Sequence, residues 1–221
     1  SFEIKNILSG YSLAEKDFKT FKLADNVKKK PYLHKFSESK YGNPAEHFKF
    51  EKKYFSRSAL NYLKGLVFLK KKTKKFIPKI VLEIGGGYGT LAEIFKYSGI
   101  KNFKYINVDL PPISILSEIY LTRVFKIKNI SQINNSLDNS ININKLKTIT
   151  CLNSWQINNL KGKIDLFVNF VSFQEMEPNI VKNYLAKVCN LKPNFILMRN
   201  LREGKQKYSK NAVGVKKPIL S

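Results

Sequence analysis

Arginine occurs at only four positions, Arg57, Arg123, Arg199 and Arg202, against 36 lysines in 221 residues. Proteins that grip phosphates draw on arginine's bidentate fork. The net charge of +24 therefore reads first as a solvated lysine surface, and a specific nucleic-acid partner is not expected. The lysines travel with asparagine and isoleucine, as in "KIKNISQINNSLDNSININKLK", a joint excess that AT-rich codon usage produces. Such a surface still attracts an anionic glycan, a lipid headgroup or a membrane face electrostatically. Cysteine is limited to Cys151 and Cys189 and histidine to His34 and His47. That excludes a disulfide framework and gives no zinc spacing, so no metal is expected and a reducing, cytoplasmic location is the default. No apolar run approaches the roughly 20 residues of a membrane span; "LKGLVFLKKKTKKF" is cut by lysines almost at once.

Hydrophobic residues make up 43% of the chain, enough for a full core at this length. Residues 1–75 are polar and lysine-rich with helical stretches, and are read as an N-terminal helical and loop segment acting as a lid or acceptor-binding part. In "SRSALNYLKGLVFLKKK" the residues Ala59, Leu60, Leu63, Leu66, Val67 and Leu69 or Lys70 trace one helical face, with Ser56 or Ser58 as cap. The stretch "KPYLHKFSESKYGNPAEHFKF" reads as a loop with short elements. Residues 76–221 change character. "KIVLEI", "FKYINV", "LKTITCL", "KIDLFVNFV" and "NFILMRN" read as strands, and "PISILSEIYLTRVF" and "PNIVKNYLAKVCN" as proline-opened helices; "KNISQINNSLDNSININ" reads as a surface loop. The alternation predicts an α/β, Rossmann-like three-layer sandwich with a mainly parallel sheet. Ligands in such sheets bind beyond the strands' carboxyl ends.

"VLEIGGGYGTLAE", Val81 to Glu93, is a strand, a glycine turn and a helix start. The free N–H groups and positive dipole end of a helix N-terminus point at whatever lies in such a turn. Which ligand it serves depends on the glycine spacing. A phosphate-cradling loop requires Gly-Lys-Ser/Thr at its end, and here Gly89 is followed by Thr90. The dinucleotide fingerprint requires Gly-x-Gly-x-x-Gly; counted from Gly85 and Gly87, its last position is Thr90. Glu-x-Gly-x-Gly-x-Gly is satisfied by Glu83, Gly85, Gly87 and Gly89, with Gly86 between. This is similar to the first motif of the Rossmann-like S-adenosylmethionine-dependent methyltransferases. Asp109 closes the second strand about 20 residues on, where a carboxylate accepts protons from ribose hydroxyls. An acid at Glu83 suits a cationic ligand without phosphate. Leu110, Ser154, Trp155 and Asn169 complete the expected cofactor rim, with Trp155 either stacking on adenine or buried as core.

The chain also resembles a narrower group, the bacterial sugar O-methyltransferases of surface-polysaccharide biosynthesis. The resemblance rests on "SESKYGNPAEHF", "SRSALNYLKGL", "VLEIGGGYGTLAEI", "YINVDLPPISILSEIYL" and "DLFVNFVSFQEM", from about Ser37 to Asn200. It implies S-adenosyl-L-methionine as cofactor and a nucleotide-linked or lipid-linked sugar as acceptor. Methyl transfer to a hydroxyl needs alignment above all, and a base helps. Glu175 is the first candidate base, with Gln174 and Asn169 orienting; His47 and His34 are alternatives should the N-terminal segment fold over the site. Ser172-x-x-Glu175 also has capping-box spacing, which would make Glu175 a helix starter instead.

Two other readings compete. An RNA or DNA methyltransferase is favoured by charge, but the fourth strand ends Asn169-Phe170-Val171-Ser172, without the Pro-Pro-aromatic that base-nitrogen methylation often uses. A catalytically inactive adenosyl-binding scaffold is the other. After "NFILMRN" about 20 residues remain, too few for the helix and two strands on which this fold closes. Either the chain is truncated or the sheet ends early, with Val213 to Leu220 a candidate for one extra strand.

Overall fold

The computed structural model describes residues 10–133 and 140–201; the Val213–Leu220 candidate strand lies outside them. Five helices are described: α1 (Tyr11–Ala24), α2 (Arg57–Lys72), α3 (Thr90–Tyr97), α4 (Pro111–Phe125) and α5 (Pro178–Asn190). The strands are β1 (Phe48–Phe50), β2 (Lys53–Phe55), β3 (Ile80–Ile84), β4 (Lys104–Asp109), β5 (Ile141–Asn142), β6 (Ile149–Asn153), β7 (Leu160–Lys161), β8 (Leu166–Phe170) and β9 (Phe195–Arg199). The main sheet runs β6-β4-β3-β8-β9, and every pairing in it is parallel. The chain moves outward from β3 to β4 to β6, then crosses back to place β8 on the other side of β3. The strand order therefore reverses between β3 and β8, at the end of the strand that carries the glycine turn. This is the α/β, Rossmann-like architecture.

Alternation in β3 builds the three layers. Val81 belongs to the cluster shared with α1 to α4, including Leu63, Leu91 and Leu121. Leu82 and Ile84 belong to the opposite cluster, with Val181 and Val188 of α5. The strand is apolar on both faces because helices cover both. Glu83 is the exception on the first face.

The residues before 76 join that first layer. Phe18 of α1, Phe36, Phe50 of β1 and Phe55 of β2 share a continuous cluster with Leu91 and Val168. The face traced in α2 is buried as expected, and Ser56 is its cap, accepting from the Ala59 N–H at 3.0 Å. Lys70 is buried with its ammonium on Asp25 at 2.7 Å and on the carbonyls of Asn26 and Pro31. Of the expected 128–144 loop, residues 134–139 are outside the described set, but its ends are structured. Ile130 bridges Ile149, and Ile141–Asn142 pairs with Leu160–Lys161. No helix among the described residues is long and apolar enough to cross a membrane.

Candidate functional site

At the carboxyl end of β3 the four glycines have different jobs. A Cβ on Gly85 would lie 2.1 Å from the Ser172 hydroxyl, and one on Gly89 2.7 Å from Leu121. A Cβ on Gly86 would meet Asn107 Oδ1 and Glu83 Oε2, each at 2.6 Å, and the Tyr105 hydroxyl at 2.7 Å. These three are glycine because protein packs against them. Gly87 shares the left-handed backbone of Gly85 and Gly89, with φ +55°, but differs in its space: a Cβ there would meet nothing within 4 Å. It is the position at which the turn faces open space.

Below the turn lies a polar brace. Asn107, fully buried in β4, accepts from the Gly86 N–H at 3.2 Å and donates to the Gly87 carbonyl at 3.1 Å and to Ser117 at 3.0 Å. Glu83 is 0% exposed. Its Oε1 accepts from Tyr62 at 2.6 Å and its Oε2 from Tyr105 at 2.5 Å. Burial pushes its pKa up to about 7, against the pull of the two tyrosine hydrogen bonds. As a cofactor contact Glu83 is therefore corrected: it supports the turn from inside and offers no open face to a cationic ligand.

Asp109 stands at the end of β4. Its Oδ2 accepts from the Gly87 N–H at 3.0 Å and its Oδ1 from the Leu110 N–H at 2.8 Å. Each oxygen keeps a lone pair for a ligand hydroxyl. Burial raises its pKa, partly offset by those two N–H groups. Asp109 pairs with Asn153 across β4 and β6, so Leu110 leaves its strand end beside Ser154 and Trp155. Leu110 is 62% and Trp155 36% exposed, which places Trp155 at the rim and not in the core. Ser154 and Trp155 line a hollow of about 380 Å³ with Ile180 and Tyr184.

Past β8, Asn169 is fully buried. Its amide donates to the Ile84 carbonyl at 2.9 Å and to Ser172 at 3.1 Å; its Oδ1 accepts from the Phe173 N–H and the Asn200 amide, both at 3.2 Å. Both donors and both acceptor lone pairs are used. Asn169 thus locks the turn together and has nothing left for a cofactor. Val171 next to it has φ +69° and ψ −34°, a strained state for a β-branched residue, of the sort that clusters at functional sites. Ser172–Glu175 forms a single 3₁₀ turn and α5 starts only at Pro178, so the capping-box alternative is not realised. Glu175 is exposed on this turn. Gln174 accepts from the Leu201 N–H at 2.7 Å, fixing the chain after β9.

The two histidines sit at opposite ends of α2. His47 Nε2 lies 3.6 Å from Glu38 Oε2, and Glu38 is bonded to the Ser56 cap through the Ser56 N–H and, at 2.9 Å, its hydroxyl. His34 Nδ1 lies 3.7 Å from Asp25, the partner of Lys70 near the helix's other end. Lys70 lies fourteen residue steps along the helix from its Ser56 cap, about 21 Å. The Lys70 end adjoins the chain that enters β3, the edge remote from the glycine turn. His34 is thereby removed as a base. His47 is on the correct side, and burial lowers its pKa, as it does that of His34.

The expected site did not include Asn107, Tyr62, Tyr105 or Glu38. Asn107 had a signal, a lone amide between the apolar residues Ile106 and Val108. Glu38 lay inside the "SESKYG" block without a stated role. Among the described residues no group of three metal-ligating side chains occurs.

No family model and no curated protein matches the chain. Solved structures do. The chain is similar to the SAH-bound methyltransferase PaMTH1 of Podospora anserina at 14% identity, covering 89% of this chain and 69% of that one, TM-score 0.42. It is similar to Thermoplasma acidophilum 1320 at 12% identity, 58% and 55% coverage, TM-score 0.38. With the mitomycin 7-O-methyltransferase MmcR the identity is 10%, the coverage 60% and 35%, and the TM-score 0.34. The chain thus spans about half of the Thermoplasma protein and a third of MmcR. The fold assignment rests on the strand order itself.

Proposed function

We propose that the chain is an S-adenosylmethionine-dependent O-methyltransferase that methylates a sugar hydroxyl during glycan assembly. The observation that carries this reading is the tie from Asp109 to the Gly87 N–H at the reversal of strand order. It sets a carboxylate for ribose hydroxyls beside the one glycine of the turn that faces open space. Leu110 and Trp155 supply apolar surface for adenine at the neighbouring strand ends. Gly87 and the start of α3 hold the amino-acid portion, with the helix N-terminus toward its carboxylate. Bound there, the cofactor supplies an electrophilic methyl group for in-line displacement by a hydroxyl oxygen. The residues beyond β8 orient the acceptor, and Glu175 takes the hydroxyl proton as the new oxygen–carbon bond forms.

The test is calorimetric titration with S-adenosylhomocysteine, followed by methyl-transfer assays on sugar acceptors. Saturable binding by the parent and none by Gly87→Arg is the expected result. Glu175→Gln is expected to keep that affinity and to lose about 100-fold or more in kcat, the usual worth of a general base. No binding by a folded parent would refute the cofactor, and an unchanged kcat would remove Glu175 as the base.

A further inference from the structure

Beside the glycine turn lies a cavity of about 620 Å³ between residues 38–44, the start of α3 and the outer face of α4. Tyr88 and Thr90, which flank Gly89, are among its lining residues. Three tyrosines line it. Tyr88 is 61% exposed, Tyr41 is exposed, and the Tyr88 and Tyr120 rings are 6.2 Å apart and tilted by 57°. Ile119 of α4, 52% exposed, adds an apolar wall.

The polar groups converge from one side. Glu38 lines the cavity with a side chain only 9% exposed, held at the start of α2 by the Ser56 N–H and hydroxyl. The Tyr120 hydroxyl lies 3.0 Å from the Ser39 hydroxyl and donates to Glu93 at 2.7 Å. Glu93 is fully buried beneath, and burial raises its pKa to about 7. The Ser39 backbone N–H also acts on the Glu93 carboxylate, and His47 Nε2 is buried beside Glu38 without a hydrogen-bond partner.

This combination selects a ligand class. An anion would face Glu38, with Glu93 behind it and only Arg123 in its favour among the lining residues. A wholly apolar molecule would strip water from the exposed Arg123 guanidinium without compensation. A neutral ring with an apolar face and a hydroxyl edge suits both halves. Its C–H face packs on the tyrosine rings, whose rigid, amphipathic surface costs little entropy to order. Its hydroxyls donate to Glu38 and bond Ser39 and Tyr120. We infer that this cavity seats a pyranose ring of the acceptor, with Tyr88 as the link between it and the glycine turn. The inference rests on the sugar reading of the function.

The test is saturation-transfer NMR with methyl α-D-glucopyranoside, methyl α-D-mannopyranoside and methyl α-L-rhamnopyranoside, with 4-methylphenol as an aromatic control. It requires no turnover. The parent is expected to bind at least one glycoside. Ile119→Arg, which fills the cavity from an exposed helix position, is expected to weaken that binding at least tenfold while S-adenosylhomocysteine affinity stays within twofold. Leu116→Lys on the same wall replaces it if Ile119→Arg does not fold. Equal glycoside binding by parent and filled variant would place the sugar elsewhere and overturn the inference. Absence of glycoside binding, or binding of 4-methylphenol alone, would overturn it too. Glycoside binding lost in the variant, in a chain that never binds S-adenosylhomocysteine, would uphold the cavity and refute the methyltransferase reading.

Discussion

Gly86 and Gly87 are adjacent in one turn, yet an added methyl group would harm the protein by different routes. At Gly86 the backbone is ordinary but the space is taken by Glu83, Asn107 and Tyr105. Gly86→Ala must displace a buried carboxyl group from its tyrosine partners, and overpacking of that kind costs about 1–3 kcal/mol. At Gly87 the space is open and only the left-handed backbone resists, at about 1 kcal/mol for a single residue. The methyl group of Gly87→Ala would, however, project where the cofactor is proposed to lie. Gly86→Ala is therefore expected to lower the urea midpoint more than Gly87→Ala, and Gly87→Ala to weaken S-adenosylhomocysteine binding more, by about tenfold, or ~1.4 kcal/mol. Denaturant titration and calorimetry on both variants give the two rankings. If both properties fall in the same order, the glycines share one role and the division is wrong.

Helix α2 shows how packing overrides propensity. Gly65 sits in its middle, where alanine would normally gain about 1 kcal/mol. Here a Cβ would lie 2.5 Å from Cζ of Phe170, in β8. That ring is stacked on Tyr62 at 4.8 Å between centroids, and Tyr62 in turn donates to Glu83. Moving Phe170 disturbs the brace of the glycine turn, and the overpacking cost of about 1–3 kcal/mol exceeds the propensity gain. Gly65→Ala is expected to destabilise by about 1 kcal/mol or more, read as a lowered urea midpoint; a raised midpoint would mean that the helix shifts freely on the sheet. The same helix marks what the sequence made legible. Its apolar face, its Ser56 cap and all five main-sheet strands were readable because each is a run of neighbouring residues with its own period. The β1–β2 hairpin was not, since three-residue strands carry too little alternation. Nor were the links from Tyr62 to Glu83 or from Glu38 to Ser56. They join residues 21 and 18 positions apart, and such a contact has no local signature. The consequence at the site is specific: Asp109 and Gly87 lie together at the strand ends, as their sequence positions imply, whereas Glu83 and Asn169 are buried among partners remote in sequence, which no local pattern shows.

The whole chain responds to pH through a conflict between its surface and its interior. The surface is strongly cationic, with 36 lysines in the chain, and its self-repulsion is a background that salt relieves. The interior responds to pH directly. Glu83 titrates at about 7 in the folded chain against 4.5 as its ordinary value. Between those values the folded state holds a proton that the unfolded state has released, so stability falls as pH rises through the window. For one such group the loss from pH 5.5 to 7.5 is about 2 kcal/mol. Glu93 acts in the same sense, its pKa raised by burial. His34 and His47 oppose it, because burial lowers their pKa values and the stability they contribute is lost as pH falls. Comparing Glu83→Gln with the parent isolates the first effect. The amide is neutral at both pH values, accepting from one tyrosine and donating to the other. Urea midpoints at pH 5.5 and 7.5 are expected to show the parent losing about 2 kcal/mol more than the variant over that rise. Parallel losses in the two proteins would mean that Glu83 is already ionised at pH 5.5. The tyrosine hydrogen bonds would then outweigh burial, and the brace under the glycine turn would carry a full negative charge behind the proposed cofactor site.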